Sequence, residues 1–179
     1  MVRFKKQMKN NDIHSSGGIR MNQENVKEGE IKELEILEFK AGGNSYGVDI
    51  NEIKEILPYQ QKPTPIPNAH PYIEGMVMPR DFIITIINLG KSLKLADQSI
   101  SNEEMLMVTG INDLNIGFHV DKVKGIHKIF SNEINEPGKS LSTKVKDVVT
   151  GTFERKDTTI EVLDLRKIIS IVNPDVLNE

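Results

Sequence analysis

Ile84-Thr85-Ile86-Ile87-Asn88-Leu89 and Ile160-Glu161-Val162-Leu163-Asp164-Leu165 are one pattern written twice, 76 residues apart. The same offset carries Ile73-Glu74-Gly75 onto Val149-Thr150-Gly151 and Arg80-Asp81 onto Lys156-Asp157. Upstream, Tyr46-Gly47-Val48-Asp49-Ile50-Asn51-Glu52-Ile53 falls on Ile116-Gly117-Phe118-His119-Val120-Asp121-Lys122-Val123 at an offset of 70. Apolar positions alone match easily. Glycines and a basic–acidic pair in register do not, and they mark an internal duplication. The unit is a β-subdomain of roughly 65–75 residues, a size that buries little apolar surface alone and gains by packing on its twin. The chain is therefore read as a flexible tail over 1–32, a first β-barrel subdomain over 33–97, and a second over 98–179 that ends in a short helix. A pseudo-twofold pair exposes two related but unequal surfaces, suited to contacting two partners or to chaining head to tail.

The class of the repeat follows from its punctuation. Short runs rich in Ile, Val, Phe and Leu alternate with turn residues at Ala41-Gly42-Gly43-Asn44, Pro63 to Pro67, Asn112-Asp113 and Pro137-Gly138, which indicates an all-β barrel or sandwich. Leu34 to Phe39 partly alternates, and Met105 to Ile111 and Ile160 to Leu165 read as core strands. Phe82 to Leu89 is almost unbroken apolar sequence, as expected of a strand buried on both faces and hazardous if exposed. Leu165 onward reads as a short amphipathic helix meeting Pro174. Residues 1–32 carry Arg3, Lys5, Lys6, Lys9 and Arg20 with no sustained apolar period, hence a tail, or alternatively a basic arm. Gly17-Gly18 before Met21 is what an in-frame ribosome-binding sequence encodes, which makes Met21 a candidate native start.

Composition narrows the function. Apolar residues at 37% and charged residues at 27% fit a soluble globular chain. A net charge of −3, aromatics at 5% and no tryptophan argue against nucleic acid, which calls for basic surfaces and stacking platforms. No apolar run approaches the ~20 residues of a membrane span, and the N-terminus lacks a signal-peptide core, so the expected location is the cytoplasm. With no cysteine, disulfides, thiolate metal sites and cysteine nucleophiles are excluded.

Motifs of catalysis are near misses. Gly90-Lys91-Ser92 and Gly138-Lys139-Ser140 resemble the end of a phosphate loop, but the required earlier glycine is Thr85 in one and Glu133 in the other. His14, His70, His119 and His127 show no i,i+4 pair and read as solvent-facing or hydrogen-bonded imidazoles. Asp49, Asp81, Asp121, Asp157 and Asp164 recur at repeat-equivalent places, which suits turns and caps better than acid–base pairs. No catalytic, cofactor-binding or metal-binding residue is assigned.

Tyr46-Gly47-Val48-Asp49-Ile50, then Ile53-Lys54-Glu55-Ile56, then Ile73-Glu74-Gly75-Met76, Arg80 and Ile83 to Leu89, together resemble the CheW family of bacterial chemotaxis coupling proteins, over about residues 33–172. The resemblance implies two five-stranded SH3-like β-barrels around a shared core, with terminal segments crossing between them. It implies a non-catalytic adaptor between the cytoplasmic tips of chemoreceptors and the regulatory domain of the histidine kinase CheA, recruited to receptor arrays without inserting into the membrane. Arg80 matches the arginine of the family's receptor-facing turn, Gly75 the glycine before it, and Ile53 and Glu55 positions on the partner-facing surface. From spacing alone, Ile50, Ile53 and Leu57 fall at helical intervals, and Ile53 suits a core. The chain departs from the family at Pro79-Arg80-Asp81, where Leu-Arg-Gly is usual, and at Thr85 and Asn88, where proline and aspartate are usual; Asp81 is placed to pair with Arg80. Rival readings of the same pattern are a CheV-like adaptor, a kinase regulatory-domain fragment, or a small-barrel nucleic-acid binder.

Overall fold

The computed structural model describes residues 30–96 and 102–177. All of the expected tail except its last three residues, Met21 included, lies outside that range. Three two-residue turns set the hairpins. Gly42-Gly43 (φ +54°, +79°) joins β1 (Glu33–Ala41) to β2 (Asn44–Asp49), and Asn112-Asp113 (+47°, +62°) joins β6 (Met105–Ile111) to β7 (Leu114–Val120). Lys156-Asp157 (+48°, +62°) joins β9 (Val149–Arg155) to β10 (Thr158–Leu163). Two consecutive positive φ values match the twist of the flanking strands, and Gly, Asn and Asp reach them most cheaply. The remaining elements are β3 (Glu55–Pro58), β4 (Ile73–Val77), β5 (Ile84–Asn88), α1 (Leu89–Ser92), β8 (Lys122–Phe130) and α2 (Leu165–Val172).

The strands form two five-stranded sheets, ordered β8-β1-β2-β10-β9 and β3-β6-β7-β5-β4. The repeat maps the first order onto the second without exception. In each, one parallel pairing, β2 with β10 and β5 with β7, interrupts antiparallel neighbours. Each sheet closes on itself through a single bridge beyond its edge strand, Thr64 to Met76 and Asn135 to Thr152. The bulges also repeat: Glu74 is the extra residue of β4 opposite β5, and Thr150 that of β9 opposite β10.

The two barrels do not follow the expected division at 97/98. Barrel 1 is built from β1, β2 and β8–β10, and barrel 2 from β3–β7. The cause is linker length. Asp121 alone separates β7 from β8, and one residue cannot reverse a chain, so the strand runs on from one sheet into the other. Residues 50–54, containing a single 3₁₀ turn, carry β2 across to β3 in the same way. The same crossing overturns the helical reading of Ile50, Ile53 and Leu57: no helix spans them, Ile50 and Ile53 pack on the core between the barrels, and Leu57 joins the interior of barrel 2.

Alternation then sorts the side chains. Ile36, Ile129, Phe153, Ile160 and Val162 fill barrel 1, and Val77, Ile84, Ile86, Leu106 and Val108 fill barrel 2. The opposite faces of the same strands, with Leu37, Phe39, Tyr46, Val48, Met107, Phe118 and Leu163, form a third and larger cluster shared by both sheets and by the buried face of α2. Gly47 and Gly117 face the barrel interiors, where a Cβ would lie 2.5 Å from Ile36 Cγ2 and 2.8 Å from Ile84 Cγ2. Their recurrence reflects space. Asn88 and Asp164, equivalent in the repeat, cap α1 and α2 by accepting from the Lys91 and Lys167 N–H groups at 2.8 and 3.1 Å. The Phe82–Leu89 run is not buried throughout: β5 covers only Ile84–Asn88, Leu89 opens α1, and Ile83 is 55% exposed.

Candidate protein-docking site

The second hairpin of barrel 2 differs from its twin at the tip. In barrel 1 the β9–β10 ladder runs to the turn, with Glu154 opposite Thr159 and Arg155 opposite Thr158. In barrel 2 the β4–β5 ladder stops at Val77 opposite Ile84. Pro79 stands where the repeat has Arg155 and has no N–H to give to a ladder. The tip therefore opens into a six-residue loop, Met78 to Ile83, with Arg80 near its apex.

That loop folds over the end of barrel 2. Phe82 packs on the interior cluster, Lys54 Nζ lies 6.0 Å from the centre of its ring, and the same amine donates to Asn115 Oδ1 at 3.1 Å. Arg80 Nη1 lies 3.3 Å from Glu55 Oε1, while the arginine side chain stays 68% exposed. Arg80 thus pairs with Glu55 across the barrel end, and not with the neighbouring Asp81. One register step beyond the last paired residues stand Leu114, the first residue of β7, and Ile83 and Met78, the loop residues next to β5 and β4, each about half exposed or more. The result is an apolar row beside an exposed guanidinium.

Of the four residues singled out in the sequence, Arg80 and Glu55 meet here. Ile53 does not; it packs on the core between the barrels. Gly75 is buried in β4 at φ +142°, where an added Cβ would overlap the Thr64 carbonyl of the closing bridge. Met78, Ile83 and Leu114 were not singled out, and the signal that could have found them was Pro79, which breaks the hairpin and turns the apolar run outward.

At the opposite end of the same strands, where Asn88 pairs with His119, lies a polar cluster. The bulge at Glu74 turns its carboxylate toward His119, Asn88 and Tyr59. His119 Nδ1 is 2.9 Å from Glu74 Oε1 and Nε2 is 3.6 Å from Glu104 Oε1, with the ring stacked 3.8 Å from that of Tyr59. Burial would raise the Glu74 carboxyl, but hydrogen bonding and charge from His119, then hydrogen bonds from Asn88 and Tyr59, hold it below the usual range. Burial first, then the bond to Glu74, pushes the Tyr59 hydroxyl up, so it stays a donor. In barrel 1, His127 Nε2 similarly faces Glu38 Oε2 at 2.6 Å. Both imidazoles are hydrogen-bonded, as the sequence suggested.

Two β-barrels fused through a common core, with an apolar strip and a tethered cation at one barrel end, define a small docking scaffold. The chain belongs to the CheW family: the profile of the CheW-like domain matches residues 35–173. It is 23% identical over 141 residues to the chemotaxis protein CheW of Bacillus subtilis, spanning 78% of this chain and 90% of that protein. To the chemotaxis protein CheW of Thermotoga maritima it is 28% identical over 141 residues, spanning 78% and 89%. The crystal structure of the scaffolding protein TtCheW from Thermoanaerobacter tengcongensis superposes with a TM-score of 0.69 at 24% identity, covering 80% of this chain and 92% of that one. Fold and family together make the chain a chemotaxis coupling adaptor, and the nucleic-acid and kinase-fragment readings are not favoured. Among the described residues no helix is long and apolar enough to cross a membrane.

Proposed function

We propose that the chain acts in the cytoplasm as the non-catalytic link between chemoreceptor tips and the regulatory domain of CheA. The observation that carries this is the barrel-2 end, where Arg80, tethered by Glu55, stands beside the exposed row Leu114, Ile83 and Met78. A helical hairpin with one apolar and one polar face meets both features: its apolar stripe covers the row, and its polar edge receives the guanidinium, which can make several directed hydrogen bonds. The pseudo-twofold leaves a related, unequal end on barrel 1, where Lys156 and Gly125 stand for Arg80 and Glu55, so that one molecule can hold two different partners. Size-exclusion chromatography of the chain with the CheA regulatory domain and with a receptor-tip fragment tests the proposal. Co-elution with each is expected, and failure to associate with either removes the adaptor assignment.

A further inference from the structure

Both barrels carry the same groove, and among the described residues only one of the two is filled. On barrel 1 the groove lies between the outer face of β2 and β10 and the end of α1, and the β8–β9 connection runs through it. The Ser142 and Tyr46 hydroxyls are 2.7 Å apart, and the Ser142 N–H donates to Glu161 Oε1. Across the gap, the Thr143 hydroxyl and the Lys144 N–H donate to the Leu93 carbonyl at 3.1 and 3.3 Å. The segment plugs the groove by setting its own polar atoms on a polar floor, with Glu161 Oε2 the one buried oxygen there left without a partner among the described residues.

The repeat carries Tyr46 onto Ile116, Glu161 onto Thr85, Val149 onto Ile73, Leu163 onto Ile87 and Leu93 onto Ile169. Those five counterparts, four on the barrel-2 sheet and Ile169 on α2, with Leu114 at the rim, line an open cavity of about 100 Å³ between α2 and the sheet. The plug is missing for a reason of length: the offset between repeats grows from 70 to 76 across this connection, so the second repeat has six more residues to spend there. The shorter barrel-2 connection turns back on itself, with the Ala69 N–H donating to the Ile66 carbonyl and the Ile73 N–H to the His70 carbonyl.

We infer that the cavity between α2 and the outer face of β5 and β7 is a docking site for a short irregular segment of a partner protein, which inserts an aliphatic side chain where Ser142 sits on barrel 1. The occupied twin supplies the binding mode. The exchange of a phenol and a carboxylate for isoleucine and threonine supplies the chemistry, because a cavity lined mainly by aliphatic side chains, with Thr85 and Asn173 its polar members, favours an apolar group over a polar one. Leu114 both borders the cavity and begins the exposed row through Ile83 to Met78, so the site is continuous with the docking face. The inference goes beyond the adaptor reading and does not depend on which partner Arg80 meets.

Two synthetic peptides spanning residues 138–147, one of native sequence and one with Ser142→Leu, are titrated into the full chain while the methyl NMR signals of Ile73, Ile87 and Ile116 are followed. The Ser142→Leu peptide is expected to shift those methyls saturably and at least tenfold more tightly than the native peptide. Thr85→Met, which fills the cavity, is expected to abolish the shifts while the melting temperature holds. The inference is overturned by the absence of a saturable shift up to about 10 mM, by equal binding of the two peptides, by shifts that survive Thr85→Met, or by shifts confined to Val149 and Leu163 of the filled groove. None of these readouts involves receptor or kinase, so failure here leaves the adaptor assignment to its own test.

Discussion

Arg80 Nη1 stands 3.3 Å from Glu55 Oε1, tying the tip of the β4–β5 hairpin to the first residue of β3. The two residues are 25 positions apart in the chain, and the closing of barrel 2 brings them together. The arginine side chain is mostly exposed, so the guanidinium remains open to solvent beside the pair.

Exposed ion pairs contribute only ~0–1 kcal/mol. Arg80→Glu is therefore expected to weaken receptor-tip association while the thermal transition stays within a few degrees of wild type. The swap Arg80→Glu with Glu55→Arg rebuilds the pair but not the outward cation at residue 80, and is expected to leave binding weak. Pull-down with receptor fragments beside melting curves separates the cases, and recovery of binding by the swap would show that the pair acts only as a brace.

Pro79 opens the hairpin tip. Pro79→Leu supplies the missing N–H and is expected to let the ladder zip past Val77 and Ile84 toward a short turn, as in β9–β10. Amide hydrogen exchange at residues 79–82 reads this directly: slower exchange is expected, and unchanged exchange would mean that the proline does not hold the loop open.

Gly75 is fixed by its surroundings. Gly75→Ala meets both a φ of +142° and the Thr64 carbonyl, and is expected to cost about 2–4 kcal/mol, in the upper range of single substitutions. Gly138→Ala, with nothing within 4 Å of the added Cβ, is expected to fall within ~0.5 kcal/mol of wild type. Denaturant unfolding compares the two, and similar costs would refute the closing-bridge account.

The Glu74 cluster sets an acid-side dependence. Because the folded protein holds this carboxyl below its unfolded value of 4.5, the stabilisation is present above that pH and lost as pH falls through the lower folded value. Glu74→Gln is expected to flatten the decline of melting temperature below about pH 5. A mutant profile parallel to wild type would assign that decline to other groups.

Much of this was legible in the sequence because duplication and turn chemistry are local signals. Gly42-Gly43 and Asn112-Asp113 announced turns, and Asp164 a turn or cap, through their own conformational preferences; that Asn88 caps a helix in the same way emerged from the structure. The exchange of strands between barrels was not legible, because a repeat shows which strands are equivalent and not which copy each one pairs with. That choice was made by the single residue Asp121, too short a link to turn. The exposed apolar row was hidden for a related reason. Ile83 reads as one more apolar residue of a buried run until Pro79 is recognised as ending the ladder before it. Ile53 and Glu55 stand two residues apart, yet one faces the shared core and the other the barrel end, a division made by where β3 begins.

Coupling requires both partners at once. Analytical ultracentrifugation of the chain mixed with a receptor-tip fragment and the CheA regulatory domain is expected to show one species containing all three. Two mutually exclusive binary complexes, or no complex at all, would contradict the claim that this paired-barrel chain joins them.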